Sequence, residues 1–139
     1  EVSLVSFEEL ITTSDIISLH APGTKENDSL IDGRVLSQMK DDALIVNTAR
    51  GILIDEEALY QELKTGRIRA ALDVFREEPL PVDSLLRELD NVVLTPHIGG
   101  FTYDSRKHAG EMVFKELKRY FTNKKLKYEQ IPETLDHRA

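Results

Sequence analysis

Side chains suited to proton and anion chemistry stand at four points of the sequence, each directly after a short apolar run. His97 lies between Pro96 and Ile98-Gly99-Gly100. Imidazole is the side chain best suited to passing a proton near neutral pH. Proline fixes the backbone before it, and the glycines let a ligand approach the main chain closely. Glu77 and Glu78 precede Pro79. A carboxylate beside an imidazole favours the protonated ring and fixes its tautomer, so Glu78 is the candidate to orient His97. Arg50 precedes Gly51; its planar fork matches a carboxylate bidentately and stays charged when partly buried. Asp73 ends an otherwise apolar run, where a carboxylate is costly unless hydrogen-bonded. It suits a ligand amide or, equally, the cap of a neighbouring loop. His20, followed by Ala21-Pro22, suits a pocket wall better than a proton shuttle. Each residue alone also has an ordinary structural reading: a bonded histidine, a solvated glutamate pair, an arginine in a surface turn. The set is more informative than any member.

Other chemistries are poorly served. His20, His97, His108 and His137 show no short ligand spacing and no dense carboxylate cluster, so no metal site is expected. Cysteine is absent, which excludes disulfides, thiolate zinc and a cysteine nucleophile. No Gly-x-Ser-x-Gly elbow occurs. With 25 acidic and 18 basic side chains the net charge is −7, which argues against a phosphate-backbone binder and hence a nucleic-acid partner. Lys124-Lys125-Leu126-Lys127 reads as a solvated helix end. No apolar run approaches the roughly 20 residues of a membrane span, and no charged-then-apolar leader opens the chain. A cytoplasmic protein without a membrane partner is expected.

These groups need a scaffold, and 139 residues with 40% hydrophobic and 31% charged side chains suffice for one globular core. Ser6 and Glu9 form a capping-box pattern before a helix over residues 7–13, with Val5 and Leu10 at staple positions. Residues 15–20 read as a strand stopped by Ala21-Pro22-Gly23. Asp32 caps a short helix carrying Val35, Leu36 and Met39, and residues 43–48 form the next strand. Asp55 caps a helix that Gly66 ends, with Ile54 and Leu59 at staple positions. Residues 69–75 read as a third strand. A proline-broken loop follows, then a short helix capped by Asp83, and residues 92–95 as a fourth strand. The longest helix spans about 104–121, with Ala109, Met112, Val113, Leu117, Tyr120 and Phe121 at helical spacing. Strands apolar on both faces, alternating with helices, predict an α/β fold with a parallel sheet. Ligands bind such sheets at the carboxyl ends of the strands, where all the singled-out residues lie.

Read in order, four segments spell a known pattern: Ser14-Asp15-Ile16-Ile17-Ser18-Leu19-His20-Ala21-Pro22, Asn47-Thr48-Ala49-Arg50-Gly51, Leu72-Asp73-Val74-Phe75 with Glu77-Glu78-Pro79, and Thr95-Pro96-His97-Ile98-Gly99-Gly100. The chain resembles the NAD-dependent D-isomer-specific 2-hydroxyacid dehydrogenases from about Val5 to Phe121. The resemblance implies that Arg50 holds the substrate carboxylate, that His97 is the general acid/base and that Glu78 pairs with it. It further implies that Asp73 contacts the nicotinamide carboxamide, that His20 and Pro22 belong to the adenosine pocket, and that Thr48, Gly99 and Gly100 flank the nicotinamide. The implied cofactor is NAD, with NADP not excluded, and the implied substrate a 2-hydroxy or 2-oxo acid.

One family feature is absent from the sequence. The seven glycines, at 23, 33, 51, 66, 99, 100 and 110, form no Gly-x-Gly-x-x-Gly loop. In the family that loop lies upstream of the segment resembling Glu1 to Leu10. Residues 1–125 are therefore expected to be the second half of a doubly wound, Rossmann-like cofactor domain, and residues 126–139 a tail leading toward a substrate domain. The chain starts at Glu1, with Met39 and Met112 its only methionines, which fits a processed, engineered or truncated product. A piece of this kind is expected to bind cofactor poorly and to self-associate. The alternative function is a non-catalytic, dinucleotide-sensing module of the co-repressor type; a third is a short product that is inert or only oligomerises.

Overall fold

The computed structural model describes residues 2–129. In chain order these form α1 (Phe7–Thr13), β1 (Ile16–Leu19), α2 (Gly33–Gln38), β2 (Leu44–Asn47), α3 (Glu56–Lys64), β3 (Arg69–Leu72), β4 (Val92–Leu94) and α4 (Tyr103–Phe121). Short 3-10 turns occupy Lys25–Asn27, Gly51–Leu53 and Leu85–Glu88. The expected caps form at three helices. Ser6 Oγ accepts the Glu9 N–H, Asp32 Oδ1 that of Val35 and Asp55 Oδ1 that of Ala58, each satisfying an otherwise orphaned donor of a first turn. Gly66 ends α3 at φ 77°, a left-handed conformation that glycine adopts without a Cβ clash.

The four strands lie in one parallel sheet in the order β1-β2-β3-β4. The register places Ile17, Ile45, Ala70 and Val92 side by side. Ile17, Leu19, Ile45, Ala70 and Leu72 pack in one core with Val35 and Leu36 of α2 and Leu59 and Leu63 of α3. The opposite face is open: Ile16 and Val93 on it are 64% and 63% exposed. Strands apolar on both faces call for cover on both faces. Right-handed crossovers between strands laid down in chain order all return on the same side, so α2 and α3 cover only one face. A doubly wound sheet covers its second face where the strand order reverses, and these four strands contain no reversal.

Other differences are local. The third strand ends at Leu72, three residues earlier than expected, although Asp73, Val74 and Phe75 remain buried. Asp83 caps nothing: the turn there is 3-10, starts after Ser84 and has no side-chain cap. Arg87 fastens it instead, with Nε and Nη2 donating to the carbonyls of Pro81 and Leu80. Ile54 and Leu59, at the staple positions of α3, are both buried, whereas Val5 and Leu10 are both exposed. Helix α4 opens with a capping box between Thr102 and Ser105, and none of its residues is buried. Its apolar stripe, including Val113, Leu117 and Tyr120, is more than half exposed. The Lys124–Lys127 run lies just beyond α4, while His137 and most of the 126–139 tail fall outside the described residues. No helix among the described residues is long and apolar enough to cross a membrane.

Candidate active site

All four strands release their chains at one edge of the sheet, and two buried polar side chains shape the loops there. Asn47, 1% exposed, ends β2. Its Nδ2 donates to the Arg50 carbonyl at 2.9 Å and its Oδ1 accepts the Ala49 N–H at 3.1 Å, closing the loop that carries Arg50. Asp73, 4% exposed, follows β3. Its Oδ1 accepts from Thr95 Oγ1 and the Ile98 N–H, and its Oδ2 accepts the Gly99 N–H at 2.8 Å. Of the two readings open for Asp73, the loop cap is formed. A carboxylate offers about four lone-pair positions, so one acceptor direction remains. Burial raises the Asp73 pKa, but the bonds from Thr95, Gly99 and Ile98, with the His97 charge, outweigh it and hold the group below its ordinary value.

The loop that Asp73 secures carries His97 in the left-handed region at φ 54°. That conformation costs a non-glycine residue about 1–2 kcal/mol, and Asp73 bonds to residues on both sides of it hold it there. His97 Nδ1 lies 2.7 Å from Glu78 Oε2, while Glu78 Oε1 accepts the Phe75 N–H at 3.0 Å. The hydrogen bonds from His97 and Phe75 lower the Glu78 pKa against the opposing effect of burial, and the charges of His97 and Arg50 add to them. An ionised carboxylate only accepts, so Nδ1 carries the proton of this bond. Nε2 is left for a ligand, on a ring that is 47% exposed.

Two glycines set the position of Arg50. A Cβ on Gly51 would lie 2.0 Å from the carbonyl carbon and oxygen of Phe75, so the Arg50 loop and the Glu78 loop touch backbone to backbone. A Cβ on Gly23 would lie 2.9 Å from Arg50 Cγ, so the loop after His20 supports the arginine stem. Arg50 Nη1 donates to the Ala49 carbonyl. The cleft beside the His97–Glu78 pair is bordered by Leu80, Arg87, Leu94 and Pro96. Arg50 is not one of its walls, but it lies close enough to Glu78 for its charge to act there.

The remaining candidates lie along the same edge. His20 is exposed, with Nε2 2.9 Å from Ser18 Oγ; Pro22 accepts a bond from Asn27 Nδ2 through its carbonyl. Thr48 is exposed, and open space surrounds Gly100 where a Cβ would stand. His20, Thr48 and Gly100 thus form an accessible rim along the strand ends. The cradle for a dinucleotide's pyrophosphate, a Gly-x-Gly-x-x-Gly loop, does not occur in the sequence. Among the described residues no three His, Asp or Glu side chains are grouped as metal ligands would be. Asn47 stands among the polar residues at the strand ends, in the Asn47-Thr48-Ala49-Arg50-Gly51 segment, but the sequence assigns it no role of its own. Its signal was the one that marked Asp73, a lone polar side chain closing an apolar run.

Residues 1–99 match the model of the D-isomer specific 2-hydroxyacid dehydrogenase NAD binding domain. The chain belongs to this family. A hydroxypyruvate reductase of Thermotoga maritima is 48% identical over 124 residues, covering 84% of this chain and 40% of the relative. A D-lactate dehydrogenase of Lactobacillus jensenii, solved with NAD+, superposes with a TM-score of 0.84 at 28% identity, covering 91% of this chain and 42% of that one. A D-isomer specific 2-hydroxyacid dehydrogenase of Xanthobacter autotrophicus, solved with NADPH, gives a TM-score of 0.77 at 31% identity, covering 91% and 52%. The chain spans 40% of that hydroxypyruvate reductase and 21% of a D-3-phosphoglycerate dehydrogenase of Methanocaldococcus jannaschii, which is 50% identical over 112 residues. Those relatives are dehydrogenases and reductases, which favours the dehydrogenase reading of this D-2-hydroxyacid dehydrogenase domain over the co-repressor alternative.

Proposed function

We propose that the protein containing this chain interconverts 2-oxo acids and D-2-hydroxy acids, with His97 as general acid/base, Glu78 as its orienting partner and Arg50 as the carboxylate-binding group. The observation that carries the reading is the 2.7 Å contact between His97 Nδ1 and Glu78 Oε2, which commits Nδ1 and leaves Nε2 free. In the reductive direction Arg50 pairs with the substrate carboxylate through its fork. Protonated Nε2 of His97 gives its proton to the substrate carbonyl oxygen. Glu78 keeps the ring oriented and balances its charge while it is protonated. In the oxidative direction neutral His97 takes the hydroxyl proton on Nε2. NAD(H), when bound, supplies or takes up the hydride, so the sum is 2-oxo acid + NADH + H⁺ ⇌ 2-hydroxy acid + NAD⁺.

His20, Pro22, Thr48, Asp73, Gly99 and Gly100 form the chain's share of the cofactor site in this reading, with NAD the expected partner and NADP open. Residues 1–125 serve as the second half of the cofactor domain, in a cytoplasmic homo-oligomer. The test is NADH consumption by the complete protein with glyoxylate, pyruvate and hydroxypyruvate. His97→Ala should lower kcat by about two to four orders of magnitude, and Arg50→Ala should chiefly raise KM for the oxo acid. Undiminished turnover in His97→Ala would refute the assignment.

A further inference from the structure

Arg76 is not among the residues that sequence reasoning singled out, yet its bonds join the loops that carry Arg50 and Glu78. Its Nε donates to the Ile54 carbonyl at 2.9 Å and its Nη2 to the Ile52 carbonyl at 3.1 Å. Those carbonyls belong to the turn that begins at Gly51. Nη2 also bonds Ser29 Oγ at 2.7 Å and pairs with Asp28, holding the Asp28 carboxyl below its ordinary pKa. The Arg76 backbone N–H donates to Glu56 Oε1 at the start of α3. One residue therefore ties the segment between Phe75 and Glu78 to the segment after Arg50 and to the loop after β1.

We infer that Arg76 is a positioning residue that keeps the Arg50 and Glu78 loops at a fixed separation, so that a substrate held by one is aligned with the imidazole held by the other. The inference rests on the function proposed above and adds to it a residue outside the site. The path is short. Gly51 abuts the Phe75 carbonyl, the Phe75 N–H holds Glu78, and Glu78 holds His97. Arg76 is the next residue after Phe75 and draws that backbone down onto Ile52 and Ile54. A planar guanidinium bridges carbonyls and a carboxylate at once; an ammonium on a flexible stem does not reproduce that fork. Misplacing a reacting group by about 1 Å can cost roughly a hundredfold in rate.

The test uses the complete protein. Arg76→Ala should lower kcat/KM for the oxo acid by about ten- to a hundredfold, while KM for NADH stays near the wild-type value and Arg76→Lys recovers only part of the loss. Because part of the Arg76 effect passes through Glu78, the combined loss in Arg76→Ala with Glu78→Gln should be smaller than the product of the two single losses. Multiplicative losses would overturn the inference. A second readout does not need turnover: ¹⁵N shifts of the His97 ring should report the Nδ1–H tautomer in the wild type and a rise of Nε2–H in Arg76→Ala. If Arg76→Ala does not fold, Asp28→Asn carries the test, since it weakens the outer anchor and keeps the carbonyl bonds. It should show the same pattern with a smaller loss; wild-type kinetics and an unchanged tautomer would sink the idea. Should the wild type consume no NADH with any oxo acid, the proposed function fails, and the tautomer ratio still decides whether Arg76 holds the pair.

Discussion

Glu78 and Asp73 use the same chemistry for different ends. Glu78 spends one oxygen on its own loop and the other on His97. Replacing it with Gln keeps the volume and permits a donor to face Nδ1, which favours the wrong tautomer. Turnover of the complete protein should fall by orders of magnitude with little change in melting temperature, and near-normal kcat would count against the orienting role. Asp73 spends both oxygens on the 95–99 loop. Its folded pKa lies below the ordinary 3.8, so the stability it lends is complete above that value and is lost as pH falls through the folded pKa. Asp73→Asn should therefore lower the unfolding free energy measured by urea denaturation near neutrality by about 1–3 kcal/mol, and reduce the acid dependence between pH 3.8 and lower values. An unchanged acid limb in the variant would exclude Asp73 as its source.

At the scale of elements, the parts fixed by local chemistry were legible and the parts fixed by packing were not. Ser6, Asp32 and Asp55 cap their helices as their side chains dictate, because a cap needs only its own first turn. The His97–Glu78 pair was legible as a candidate only, since a contact across 19 residues depends on how two loops meet. That meeting is set by Gly51 against Phe75 and by Arg76, neither of which has a periodic signature. Asp83 failed as a cap because Arg87 and the tight 3-10 geometry satisfy the segment another way. The same loop contact makes a prediction. Gly51→Ala forces the Phe75 backbone aside, so it should destabilise the fold and depress activity together, a coupled loss that thermal denaturation and kinetics would reveal. Retained stability would mean the two loops separate freely.

At the scale of the molecule, a four-stranded sheet with helices on one side leaves Ile16, Val93 and the stripe of α4 in contact with water. Exposed apolar area of this kind drives association, and β1 presents an unpaired edge in the described sheet. Sedimentation of the 139-residue chain should show dimers or larger species at micromolar concentration, and a single ideal monomer would contradict this. The one-sided cover also explains why alternating burial replaced the two-sided burial that aliphatic-rich strands suggested. Composition reports how apolar a strand is; the order of strands decides how many of its faces are covered.

The sequential order of strands also acts as a ruler. Neighbouring strands are spaced by about 4.8 Å, so the three intervals from β1 to β4 separate the strand ends before His20 and His97 by about 14 Å. A molecule that touches both imidazoles must lie crosswise over the sheet edge and be long enough to bridge four strands. A short acid reaches only one end of that span, so His20 and His97 cannot both touch it.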